Sequence, residues 1–249
     1  MSVIVAVLIC AGVLALLIFR YDLYEKEPWP LLLLVLIAGG LTGWVAGRIE
    51  DALLIKFGES SESIAMQAAL ASLTEELLKL LVVLAVAFAF RKEFNDPLDG
   101  LIYGAFAGLG AAVEESWFYL QLAGDAGAAL IGTEVIRLLL HIFLGGLAGF
   151  GVGLARFRLP YWPLIFLGAL TADLAIHFGW DYLCGIPAQS AASELRQRFW
   201  AIGLMLAALT FFGLAVLWGS RWSRQIHAPR SSDRLWGWPF SLIFGPRDK

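Results

Sequence analysis

The chain has 249 residues, of which 59% are hydrophobic and only 16% are charged, and its mean hydropathy is +0.75. An ordinary soluble domain carries about 25% charged residues, so this composition excludes that class and indicates a protein whose solvent is the bilayer. The formal net charge of −3 is small and scattered along the chain, which argues against nucleic acid as a partner.

Apolar stretches recur along the chain, and each is long enough for a helix that crosses a membrane. A hydrocarbon core of about 30 Å needs about 20 helical residues. We therefore predict an all-α fold, a polytopic bundle of about seven transmembrane helices. In chain order the predicted spans are residues 2–19, 31–47, 64–90, 98–120, 134–155, 161–183 and 199–218.

The basic residues of the connections predict the direction of the bundle. If the N-terminus lies outside, the connections and the tail on the inner side hold 12 Lys and Arg residues and those on the outer side hold 4. By the positive-inside rule the N-terminus is outside and the C-terminus inside. Short connections make residues 1–218 one transmembrane domain, and we predict residues 219–249 to be a cytoplasmic tail that is interfacial or disordered.

Two series of glycines at four-residue spacing predict close packing between spans four and five. Each series puts a stripe of residues without side chains on one helix face, where two backbones approach closely. The two series are Gly100, Gly104, Gly108 and Gly145, Gly149, Gly153.

Ionisable residues occur inside four of the predicted spans, where they are costly and usually mark function or face a wet cavity. Span three holds Glu75, Glu76 and Lys79; span four Glu114 and Glu115; span five Arg137 and His141; span six Asp173, His177 and Asp181. Lys79 and Arg137 are as well explained by ion pairs between helices. The glutamates and histidines together favour a functional site.

The predicted depths of these residues agree. At about 1.5 Å per helical residue, Glu114 and His177 lie about 8 Å below the outer ends of their helices, and His141 about 10 Å below the outer end of its own. Because three helices bring these groups to one level, we expect them to converge in the outer half of the membrane. Glu75 lies about 16 Å below residue 64, and less if span three enters the core a turn later, so it can join them.

Spacing within the helices indicates the chemistry of the site. Asp173 and Asp181 each lie four residues from His177, and a carboxylate beside a histidine fixes its tautomer and raises its basicity. Lys79 follows Glu75 by one turn and can neutralise one carboxylate of the Glu-Glu pair. The other carboxylate is then available as a general base for water, and water activation at membrane depth means hydrolysis.

Five sequence elements occur in a fixed order along most of the chain. They are Tyr-Asp-Leu-Tyr-Glu-Lys-Glu-Pro-Trp-Pro at 21–30, Glu-Glu-Leu-Leu-Lys at 75–79, the segment from Asp99 to Glu115, His141 ahead of its glycines, and His-Phe-Gly-Trp-Asp at 177–181. In this order they resemble the PrsW family of intramembrane proteases, which is related to the CAAX prenyl endopeptidases and bacteriocin-processing enzymes.

This resemblance implies an intramembrane endopeptidase that uses glutamate-activated water. The implied catalytic residues are Glu75, Glu76, His141 and His177. Their depth and spacing in the helices make Glu114, Glu115, Asp181, Lys79 and Asp173 the predicted supporting residues. The resemblance also implies a single-pass membrane protein as substrate, a membrane-bound anti-sigma factor that receives its first cut on the extracytoplasmic side. The implied location is the bacterial plasma membrane, with the bilayer as the other partner.

Metal dependence is open at the level of the sequence. His141 and His177, with a carboxylate from Glu114, Glu115 or Asp181, would form a zinc site with one open position. The His-Glu-x-x-His motif of many zinc peptidases is absent, and the same residues suffice for a mechanism without metal. We therefore favour a glutamate mechanism with no obligatory cofactor.

Two other classes of function remain as alternatives. Buried Glu, His and Asp residues also form relays in a proton-coupled transporter or channel, although such proteins often show internal repeats and none is evident here. A non-catalytic membrane protein of the same fold is the third interpretation.

Overall fold

The computed structural model describes residues 3–20, 26–57, 63–123 and 131–226. These residues form seven α-helices and no strand. The helices are α1 (Val3–Arg20), α2 (Trp29–Phe57), α3 (Ile64–Ala89), α4 (Asp99–Ala123), α5 (Ile131–Arg156), α6 (Trp162–Gly185) and α7 (Ala191–Ile226). The all-α prediction is confirmed, and each predicted span coincides with one helix.

Two helices are longer than the predicted spans. Helix α2 continues ten residues past residue 47, to Phe57, and α7 extends eight residues beyond the predicted span at each end. A bilayer is about 40–45 Å thick with its headgroup layers, and a helix can continue through these layers although only the part in the hydrocarbon core must be apolar. Residues 219–226 are therefore helical, while the tail from residue 227 and the motif residues 21–25 lie outside the described residues.

Within the described residues, five helices are long and apolar enough to cross a membrane: α1, α2, α5, α6 and α7. The other two, α3 and α4, have 26 and 25 residues and carry the two Glu-Glu pairs. The chain is therefore a multi-pass membrane protein. Its direction in the membrane remains the prediction made from the basic residues.

Helix α4 is the centre of the bundle and packs against α5, α2, α3 and α1. Its residues 99–112 are all buried, which the two glycine series make possible. A Cβ atom on Gly104 would collide with the backbone carbonyl of Gly145, and one on Gly108 with the carbonyl of His141. The predicted close approach of spans four and five is confirmed, and it fixes the backbone of His141 against α4.

At the end of the bundle where α3 and α5 finish, Arg156 binds the connection between α3 and α4. Its guanidinium donates hydrogen bonds of 2.9 Å to the carbonyls of Ala87, Arg91 and Phe94. In the same connection Asp99 accepts two backbone N–H bonds of 2.6 Å at the start of α4. These contacts join the ends of α3, α4 and α5.

Candidate active site

A cavity of about 720 Å³ opens at the opposite end of the bundle, where α2, α4 and α6 end and α3 and α5 begin. Ionisable residues that line it include Glu75, Glu114, Glu115, Arg137 and Asp181. His141 and His177 are 3% and 1% exposed and are buried behind this lining. The cavity thus reaches polar residues of four helices that the sequence predicts to converge.

Glu76 joins α3 to α6. The residue is fully buried, and its Oε1 atom lies 2.5 Å from Lys79 Nζ and 2.5 Å from His177 Nδ1. A buried carboxylate that contacts two cationic or protonated groups holds both in place. Of the two glutamates, Glu76 is therefore the one that Lys79 neutralises most directly.

Glu75 is the member of the pair that reaches the cavity. Its side chain is 13% exposed, whereas that of Glu76 is 0% exposed. The Oε2 atom of Glu75 lies 3.8 Å from Lys79 Nζ and 3.9 Å from His141 Nδ1. Adjacent residues on a helix point about 100° apart, so one glutamate faces the cavity while its neighbour faces α6.

His177 has a carboxylate at each ring nitrogen. Nδ1 faces Glu76, and Nε2 lies 3.3 Å from Asp181 Oδ2, one turn further along α6. The predicted pairing of the histidine with an aspartate four residues away is thus observed for Asp181. Asp173 instead lies beside Glu76 and near Lys79, and it is fully buried.

His141 lies between a lysine and a glutamate. Its Nδ1 atom is 3.1 Å from Lys79 Nζ, and its Nε2 atom is 2.9 Å from Glu115 Oε2. An ammonium group can only donate, so Nδ1 accepts from Lys79 and the ring proton is on Nε2, toward Glu115. The ring stands edge-on to that of His177, with centroids 5.2 Å apart and an interplanar angle of 74°.

Glu115 connects His141 to Arg137. Its Oε1 atom lies 2.7 Å from Arg137 Nη1, and the guanidinium lies over the ring of Tyr119 at 4.4 Å from the ring centroid. Neither Arg137 nor Tyr119 is in the site predicted from the sequence. The signal was present, because Arg137 precedes His141 by four residues and Tyr119 follows Glu115 by four.

Glu114 takes a different direction from its neighbour. Its carboxylate faces α2, where Oε2 lies 3.1 Å from the position of a Cβ atom on Gly43. No ion pair or hydrogen bond joins Glu114 to His141 or His177 in the described part of the chain. The residue lines the cavity, but Glu115 is the glutamate of α4 that contacts a histidine.

Glu75, His141 and His177 could hold a metal ion, since each offers one ligand atom and these atoms lie within 4.8 Å of one another. Two imidazoles and a carboxylate form a donor set typical of catalytic zinc, so the residues fit such an ion by type and separation. The carboxylates predicted as ligands from the sequence, Glu114, Glu115 and Asp181, are not in this group, and Glu75 takes their place. Lys79 Nζ contacts two of its members.

The helix bundle and the buried histidines and carboxylates beside its cavity define a class: a multi-pass membrane protein with a polar site among its helices. The comparison with known sequences gives the family. The model of the PrsW family intramembrane metalloproteases matches residues 27–218, so the chain belongs to the PrsW family and is a membrane protease. The matched range contains every residue of the site.

Three relatives bear the name Protease PrsW. The chain is 30% identical over 189 residues to that of Geobacillus kaustophilus, which covers 71% of this chain and 79% of the relative. It is 25% identical over 187 residues to that of Shouchella clausii (73% and 83%) and 29% identical over 142 residues to that of Clostridioides difficile (55% and 59%). No solved structure matches the chain.

Proposed function

We propose that the chain hydrolyses a peptide bond of a single-pass membrane protein at the cavity, with Glu75 as the general base that activates water. The observation that carries this proposal is the position of Glu75: its carboxylate lines the cavity and lies within 4 Å of both Lys79 and His141. A base must reach both a water and the groups that stabilise the developing charge. Among the carboxylates at the histidines, Glu75 meets both conditions.

Every proton transfer of the reaction can be assigned to a residue of the site. Glu75 takes a proton from the water, and the resulting hydroxide attacks the scissile carbonyl carbon to form a tetrahedral oxyanion. His177, whose two nitrogens face carboxylates and therefore both carry protons, gives a proton to the leaving amine as the C–N bond breaks. The proton on Glu75 then restores His177.

Three carboxylates, of which Glu76 is fully buried, position the two histidines. Glu76 contacts Lys79 and His177, and Asp181 holds the second nitrogen of His177. Glu115 orients His141 through Nε2, which turns Nδ1 toward Glu75. Side chains that must act together are in this way fixed from more than one helix.

The family is described as metalloproteases, and Glu75, His141 and His177 are the residues that would hold a metal ion. The chemistry such an ion supplies when bound is polarisation of water or of the carbonyl. We favour the glutamate mechanism because the ammonium of Lys79 already contacts Glu75 and His141.

The proposed substrate is a membrane-bound anti-sigma factor in the bacterial plasma membrane, cut near the outer surface. Two observations support this. The relatives are bacterial proteases, and the cavity opens at the helix ends that the basic residues predict to be outside.

Cys184 provides a test of the orientation, since it is exposed and lines the cavity. In intact cells that produce the Cys10→Ser variant, we expect a membrane-impermeant maleimide to label Cys184 from outside. The Cys184→Ser variant, which keeps Cys10, serves as the control and should stay unlabelled. Labelling of Cys184 only after the cells are made permeable would show the opposite orientation and contradict the prediction.

Cleavage is tested by reconstitution. The purified full-length chain is placed in liposomes with the single-pass proteins of a bacterial membrane, and new termini are identified by mass spectrometry. We expect cuts near one membrane surface with the wild-type protein and none with Glu75→Gln. Absence of cuts with the wild type, or equal cuts with Glu75→Gln, would refute the proposal; proton flux that Glu75→Gln abolishes would then favour a transporter.

A further inference from the structure

We propose that the ammonium group of Lys79 is the resident cation of the donor set formed by Glu75, His141 and His177, and that it competes with a divalent metal ion for these donors. This inference deepens the proposed function, because it concerns the same site. It assigns to Lys79, beside its part in the hydrolysis scheme, the exclusion of a divalent ion from these donors.

The contacts of Lys79 are all made within the site. An ammonium group has three N–H donors and no acceptor. Lys79 Nζ makes two hydrogen bonds, to Glu76 Oε1 at 2.5 Å and to His141 Nδ1 at 3.1 Å, and forms a longer ion pair with Glu75 Oε2 at 3.8 Å. The residue is 2% exposed, so water does not take the place of these partners. The charge of Lys79 is therefore directed at the carboxylates and the imidazole of the site.

Two of these three acceptors belong to the group that could hold a metal ion. A zinc ion binds imidazole nitrogen and carboxylate oxygen at about 2.0–2.2 Å, so an ion bound to His141 Nδ1 and Glu75 would lie next to the ammonium. Two cations that close, in a buried site, repel each other strongly. The same lone pair of Nδ1 cannot bind both at once.

The other nitrogens of the donor set are occupied as well. His141 Nε2 faces Glu115 at 2.9 Å, and the two nitrogens of His177 face Glu76 and Asp181. A histidine binds a metal through an unprotonated nitrogen. Loading the set therefore requires contacts of these nitrogens to open and Lys79 to withdraw, whereas the described arrangement gives every one of these nitrogens a partner without a metal.

Removal of the charge of Lys79 should therefore create a better metal site. Lys79→Gln keeps a side chain of similar length, releases His141 Nδ1 and Glu75 Oε2, and makes the buried site more negative by one charge. Changes at groups that contact metal ligands alter metal affinity by about 10–100-fold. We expect Lys79→Gln to bind Zn²⁺ at least about tenfold more tightly than the wild type.

The test measures metal binding, not cleavage. The full-length wild type, Lys79→Gln, Lys79→Arg and the double variant Lys79→Gln/His177→Gln are purified in detergent, dialysed against a chelator and titrated with Zn²⁺ against a chromophoric competitor. Co²⁺ is used in parallel, because its visible spectrum reports tetrahedral ligation by nitrogen and oxygen. Circular dichroism and gel filtration verify that each variant is folded.

The expected result is a tighter Zn²⁺ site and a tetrahedral Co²⁺ spectrum in Lys79→Gln alone. Lys79→Arg keeps the charge and should resemble the wild type, and the double variant should lose the gain because a donor is missing. Equal affinity in the wild type and Lys79→Gln overturns the inference. So does a wild-type protein that keeps stoichiometric zinc through dialysis, a measurement that needs no variant and leaves the proposed cleavage function standing.

Discussion

Helix α5 carries an arginine near each end, and the two have different kinds of partner. Arg156 donates to three backbone carbonyls, one in the last turn of α3 and two in the connection between α3 and α4. Arg137 pairs with the side chain of Glu115, which in turn faces His141 beside the cavity. One arginine completes the hydrogen bonding of a helix end, and the other belongs to a chain of side chains that ends at the site.

The comparison separates structural from functional polar residues in a membrane bundle. Backbone carbonyls at a helix end need donors wherever water is scarce, so Arg156 is explained without any chemistry. Carboxylates, histidines and a lysine pair with one another across helices next to the cavity. Such ionisable residues are energetically costly in a membrane and usually mark a functional site. Substitutions at the two ends should therefore affect different quantities: stability at the Arg156 end and catalytic rate at the cavity.

The largest effect on rate, apart from Glu75, is expected for the buried histidines. His177→Gln removes the proposed proton donor to the leaving amine, and we expect the cleavage rate to fall by about 10²–10⁴-fold. The rate is measured by single-turnover cleavage in liposomes, with the melting temperature as a control for folding. A variant that stays folded and cleaves within about threefold of the wild type would remove His177 from the reaction.

Arg156→Gln should give the opposite pattern. The loss of three charge-assisted hydrogen bonds to carbonyls is expected to lower the free energy of unfolding by about 2 kcal/mol or more, visible as a lower melting temperature in detergent. The cleavage rate per folded molecule should be unchanged. A large loss of rate without any loss of stability would place this end of the molecule in the reaction and break the comparison.

Adjacent residues of α4 provide a matched pair with a smaller effect. Glu115→Gln weakens the group that orients His141, and we expect the cleavage rate to fall by about 10-fold, the scale at which a supporting carboxylate acts. Glu114→Gln, at the residue that faces Gly43, should change the rate by less than about twofold. The ratio is measured from the cleavage rates of the same substrate by each purified variant in parallel reactions. A larger loss of rate for Glu114→Gln than for Glu115→Gln would contradict the assignment.

Much of this fold could be predicted from the sequence because the bilayer restricts it so strongly. Backbone polar groups in lipid must be satisfied within the segment, so an apolar stretch of sufficient length predicts a helix, and all seven predicted spans coincide with helices. The ends of α2 and α7 were missed, since a helix needs no apolar residues once it leaves the hydrocarbon. Hydropathy indicates where a helix crosses, not where it stops.

The candidate site could be predicted in composition but not in orientation. The cost of charge in lipid selected the glutamates and histidines, and helical rise gave their common depth. The rotation of each helix about its axis is what separates Glu115 from Glu114 and Glu75 from Glu76, and it depends on how glycines and bulky side chains of several helices pack together. That information is spread over residues far apart in the sequence, such as Gly108 against His141.

The central claim is that Glu75 activates water while Glu76 holds the site together. The most direct measurement compares Glu75→Gln with Glu76→Gln for single-turnover cleavage and melting temperature in the same liposomes. We predict that Glu75→Gln loses about 10²–10⁴-fold in rate and keeps its stability. Glu76→Gln should lose both, because Lys79 and His177 would lose their buried carboxylate, at a cost of about 3–5 kcal/mol. Cleavage by Glu75→Gln at the wild-type rate would contradict the account.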